Sequence, residues 1–218
     1  MSSRSNLKAV YILSISNAVF TLGYGMYVYI FPKFLTSVGA TPPQVGLVST
    51  IIAAVMAITY FPGGILSDRG HRRKLVIASW VLPIFAPPFF ILAQLTQSWS
   101  NAIPGAIIFA SSRIGVPAVQ SYTSEAAPLG KRGFSFGLLV SSGYLGVVPS
   151  PLIGAVVLEA YGFTALFLIA FVLYMVSTLM VLSIPKLPGD AQLGSDIVGR
   201  ASDTPRMNDL GQADPSEA

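Results

Sequence analysis

The stretch GGILSDRGHRRK, Gly63 to Lys74, places one acid, four bases and a histidine between two long apolar runs. Those runs, about 44–66 and 74–96, each reach the roughly 20 residues that an α-helix needs to cross a bilayer. A charged loop between two such runs marks a turn at a membrane surface. Four further segments qualify, about 8–31, 101–125, 134–158 and 163–184. The expected fold is an all-α membrane protein with six transmembrane helices, contained in residues 1–186. Proline and glycine recur inside the spans, as in PIFAPPFF (83–90) and VVPSPLIG (147–154), so most spans are expected to bend.

Composition agrees with this reading. Of 218 residues, 53% are hydrophobic and 10% charged, whereas a soluble domain is about a quarter charged. The bilayer is therefore the expected solvent. A net charge of +4 in such a chain sets topology and touches headgroups, and no nucleic-acid partner is expected. The absence of cysteine excludes disulfides, thiolate metal sites and cysteine nucleophiles, and a single histidine leaves no histidine-rich metal cluster. No cofactor, metal or catalytic constellation is visible, so no enzyme is proposed. The first apolar run, from about Leu7 to Ile30, exceeds the roughly 7–15 residues of a signal core and reads as a span.

Charge gives the expected direction. With a cytoplasmic N-terminus, the inner side collects Arg4, Lys8, Arg69, Arg72, Arg73, Lys74, Lys131, Arg132 and Lys186, while the outer loops hold Lys33. Both termini are then cytoplasmic, in a multi-pass protein of the cell membrane. Beyond Lys186 the chain turns polar and net acidic (187–218), which is expected to be a disordered cytoplasmic tail or the start of a linker.

Three stretches carry a family resemblance. Gly64-x-Leu66-Ser67-Asp68-Arg69-x-x-Arg72-Arg73 resembles the loop 2–3 signature of the major facilitator superfamily, G-x-L-[SA]-D-[RK]-x-G-[RK]-[RK]. It departs at His71, where the family has glycine, so the positive-φ turn is expected to shift to Gly70. Pro117, Glu125, Pro128, Arg132 and Gly133 follow the family's helix 4 ending, P-x7-[ED]-x2-P-x3-R-G. Gly146, Pro151 and Gly154 resemble the helix 5 antiporter motif, with Ser150 and Ala155 in place of two glycines.

The resemblance implies the N-terminal half of a twelve-helix transporter, with a second six-helix half as partner. It implies that Asp68, with Gly64, Arg69, Arg72 and Arg73, forms a latch that holds the two halves together when the cavity opens outward. Glu125 and Arg132 would form a charge pair beside it. The simpler reading of these charges is a topogenic loop and a surface salt bridge worth about 0–1 kcal/mol. For helix 5 the resemblance implies a bent helix that controls leak. Small residues also allow close helix packing in any bundle.

Arg113 is the one charge placed deep in a span. It lies twelve residues before Glu125, whereas the buried helix 4 arginine of the family corresponds in position to Gly105, so that role does not transfer. Either it caps backbone carbonyls near Pro117 or it faces an anionic group of a substrate. Polar stripes at helical spacing support a cavity: Ser14, Asn17, Thr21 and Tyr24 on helix 1, and Arg113, Pro117, Gln120 and Ser124 on helix 4. The alternative for such stripes is interhelical hydrogen bonding.

The expected function is transport of a small organic solute by alternating access, with efflux favoured. The second half would come from a homodimer or from a missing C-terminal half. The alternative is a non-transporting six-helix scaffold or orphan subunit.

Overall fold

The computed structural model describes residues 2–128 and 130–185, with side chains from Leu7 onward. The side chain of Arg4, Lys186 and the tail expected at 187–218 lie outside the described residues. Every regular element among them is helical: α1 (Ser2–Val28), α2 (Phe31–Ser37), α3 (Pro42–Asp68), α4 (Arg72–Val81), α5 (Ala86–Thr96), α6 (Ala102–Ser111), α7 (Val116–Ala126), α8 (Arg132–Val147) and α9 (Ser150–Leu182). Short 3-10 turns lead α4 into α5 (Leu82–Phe85) and α6 into α7 (Ser112–Gly115).

Five helical stretches are long and apolar enough to cross a membrane: Leu7–Val28, Pro42–Asp68, Arg72–Thr96, Trp99–Ala126 and Arg132–Leu182. The last covers the fifth and sixth expected spans in one 51-residue run. Gly162 interrupts it with φ 77° and ψ 179°, outside the helical region. Bending is also local to proline. Pro83 opens one 3-10 turn, and Pro87 and Pro117 sit in the first turns of α5 and α7. There the missing N–H removes no helical hydrogen bond, so the spans bend without breaking.

The quoted loop ends α3 by a Schellman cap. Gly70 N–H donates to Ser67 O at 3.2 Å and His71 N–H to Leu66 O at 3.3 Å. Gly70 holds φ +81° and His71 φ −93°, as the displaced glycine led one to expect. At its other end α3 starts with a capping box, Thr41 N–H donating to Gln44 Oε1 at 2.8 Å, with proline behind it.

Helix α1 packs against α7, α8 and α9. The core is aromatic: the Phe167 ring lies 4.8 Å from Phe34, 5.2 Å from Phe90 and 5.7 Å from Tyr27. The buried Tyr27 and Tyr174 hydroxyls hydrogen-bond to each other at 2.9 Å. Helix α3 stands apart: of its most apolar 18 residues 6% are buried, against 39–50% in the other four stretches.

Candidate substrate cavity and the charged end of the bundle

Arg113 lies in the 3-10 turn between α6 and α7 and lines a cavity of about 270 Å³. Asn17, Phe20, Trp80, Gln120 and Phe136 are among the other side chains in its wall. The guanidinium carbon stands 5.6 Å from the Tyr24 ring centre and 5.5 Å from that of Phe109, cation–π distances. Those two rings stack on each other at 5.1 Å and 8°. They also wall a second cavity of about 190 Å³, completed by Tyr27, Phe31, Phe90 and Met56. Among the described residues no carboxylate pairs with Arg113.

The predicted stripe on α1 divides by role. Asn17 lines the cavity, but its amide also donates to the Leu139 carbonyl of α8 at 3.1 Å. Thr21 turns toward α8, its hydroxyl 2.9 Å from the Gly143 carbonyl, and is not part of the cavity wall. Tyr24 belongs to the aromatic cavity. Ser14 is buried without a hydrogen-bond partner. Gln120 is exposed at the cavity wall.

The helix 5 glycines serve close packing. A Cβ on Gly146 would collide with the Ala18 carbonyl and the Thr21 hydroxyl, and one on Gly154 with the Met26 carbonyl. Gly146, in α8, and Gly154, in α9, let α1 approach backbone to backbone. Pro151 sits half-buried in the first turn of α9, which fits its missing N–H.

At the charged end, Arg72 Nη1 binds Glu125 Oε2 at 2.7 Å, an ion pair about one-fifth exposed on each side. Glu125 thus reaches the first residue of α4, while Arg132, the partner expected from sequence, is exposed at the start of α8. Arg73 donates Nε–H to the Ile184 carbonyl at 2.9 Å and an Nη2–H to the Leu182 carbonyl at 3.3 Å. Tyr122 donates its hydroxyl to the Pro185 carbonyl at 2.8 Å. The start of α4, the end of α7 and the segment ending α9 thus meet in one place. Asp68 and Arg69 are exposed beside them, and Asp68 makes no ion pair among the described residues. A side chain on Gly64 would meet nothing within 4 Å.

Phe20, Trp80 and Phe136 were missing from the sequence-based cavity because aromatic residues in a span read as core. One signal was present: Asn17, Phe20 and Tyr24 follow at spacings of three and four and so share a face.

A relative from Methanocaldococcus jannaschii, described as an uncharacterized MFS-type transporter, is 24% identical over 160 residues, covering 71% of this chain and 40% of that protein. The chain thus spans less than half the length of this relative. The Major Facilitator Superfamily model matches residues 13–202. Together with an all-helical, membrane-spanning architecture, that match makes this chain an integral membrane protein belonging to the Major Facilitator Superfamily.

Proposed function

We propose that this chain is one six-helix half of a transporter that moves a small organic anion across the cell membrane by alternating access, with efflux as its direction. The observation that carries this reading is Arg113, a guanidinium without a carboxylate partner among the described residues, facing a cavity inside a membrane-crossing stretch. A charge at that depth is costly unless a partner or a ligand compensates it. Efflux rests on the resemblance of the loop and helix 5 motifs to those of exporters.

The six-crossing count treats Arg132–Leu182 as two helices folded at Gly162. A single 51-residue crossing would run about 77 Å at 1.5 Å per residue, against a hydrocarbon core of about 30 Å. Six crossings return both termini to one side. The basic residues at 69, 72–74, 131 and 132 support a cytoplasmic location for that side.

The second half supplies the other cavity wall, as a homodimeric copy or as a further part of a longer protein. The exposure of α3, the open space at Gly64 and the unpaired Asp68 support a partner on this face. Asp68 acts there as the latch.

Native mass spectrometry of the 218-residue chain in detergent, followed by flux of an organic anion in proteoliposomes, tests the reading. A dimer whose flux is lost in Asp68→Asn supports a half-size carrier. A monomer without flux moves the same assay to a protein carrying both halves. Absence of flux there as well leaves a non-transporting scaffold.

A further inference from the structure

On the reading that Arg113 faces a transport cavity, we infer that the solute is a monovalent anion with a flat, apolar body, an aromatic carboxylate or sulfonate in chemical class. The charge count comes first. Among the described residues lining the 270 Å³ cavity, Arg113 is the one ionised side chain. It neutralises one negative charge. A phosphate monoester or a dicarboxylate would bring a second charge that this half leaves unpaired in a low-dielectric site, which is strongly unfavourable. A cation would be repelled outright.

The donors point the same way. Arg113 carries five N–H donors and no acceptor. A guanidinium that carries only donors and meets no carboxylate among the described residues matches a group that only accepts, as a carboxylate or sulfonate does.

The body of the solute follows from the remaining wall. Phe20, Trp80 and Phe136 face the cavity. Phe20 lies 5.8 Å from Trp80 and 4.9 Å from Tyr174, so the aromatic surface continues into the core. Flat rings offer planar solutes stacking contacts that a branched aliphatic chain does not match. Contact with Tyr24 and Phe109 covers part of the guanidinium with ring surface in place of water, so its charge is less screened toward a bound oxyanion. The volume admits a bicyclic acid.

Isothermal titration calorimetry on the full chain in detergent decides it, with four probes: 2-naphthoate, 2-naphthyl phosphate, 2-naphthylmethanol and hexanoate. The expected result is 2-naphthoate binding at least about tenfold more tightly than each of the others. Arg113→Gln, checked for native helicity and elution volume, should erase the advantage of 2-naphthoate over 2-naphthylmethanol. Equal affinity for 2-naphthyl phosphate or hexanoate would overturn the inferred class and leave an anion-transport site standing. Equal affinity for the alcohol in the wild type, or no binding of 2-naphthoate, would overturn it without any variant having to fold. Tight, Arg113-dependent binding of 2-naphthoate without flux in proteoliposomes carrying both halves would instead remove the transport reading and keep the binding site.

Discussion

Arg73 caps the end of α9: its guanidinium reaches both the Leu182 and Ile184 carbonyls, more than a hundred residues along the chain. Carbonyls at a helix C-terminus lack intrahelical donors and carry the negative end of the helix dipole, so a cation there is favourable. Arg73→Ala should destabilise the protein by about 1–2 kcal/mol, since hydrogen bonds to charged groups are worth about 1.5–3 kcal/mol before solvent exposure is discounted. Arg73→Lys should recover only part of this, because a lysine replaces the two-pronged contact by a point charge. Thermal melting in detergent measures both.

Gly146 and Gly64 are both helical glycines, yet they predict opposite outcomes. Gly146→Leu drives a side chain into the α1 backbone and should abolish the folded monodisperse species in size-exclusion chromatography. Gly64→Leu enters open space and should leave the melting temperature of this chain within about 2 °C, a surface substitution being worth about 0.5 kcal/mol or less. If a second half docks on that face, Gly64→Leu should still suppress flux. Stable protein with unchanged flux would remove the docking face from this position.

Thr21 and Asn17 separate packing from recognition. Thr21→Val removes a hydroxyl contact to α8 and should cost about 0.6 kcal/mol, the average for interhelical hydrogen bonds in a membrane. Affinity for 2-naphthoate should not change, because Thr21 does not line the cavity. Asn17→Leu should cost stability and also alter that affinity, since Asn17 lines the wall while binding Leu139. Titration calorimetry beside thermal melts distinguishes the two residues.

The apolar runs were legible because runs of that length have one common solution: the first four lie within a few residues of four helical stretches, while the fifth and sixth fall in one continuous stretch, Arg132–Leu182. The cap at Gly70 was legible too, since a glycine beside His71 offers the positive φ that histidine adopts less readily. Helix α2 was not: seven residues, Phe31–Ser37, are too few for periodicity to separate them from a loop. The ion pair of Glu125 with Arg72 was equally out of reach. Arg132 is close in sequence, but Arg72, 53 residues earlier, is brought to it by the packing of α4 on α7. The contact of Thr21 with α8 was hidden for a related reason. A polar stripe marks a face of a helix, but not whether that face meets a cavity or another helix.

Helix α1 makes its key polar contacts late in synthesis. Asn17 and Thr21 each bind backbone 122 residues downstream, and Tyr27 pairs with a residue 147 positions away. At about 5–20 residues per second, Asn17 waits roughly 6–24 s for the carbonyl that it will bind. Thr21 has an interim solution, because its hydroxyl also reaches the Asn17 carbonyl of its own helix at 2.7 Å. The longer Asn17 amide, by contrast, binds α8 at Leu139 and Ser142. A nascent chain halted before α8 therefore lacks both acceptors that the Asn17 amide uses in the folded molecule.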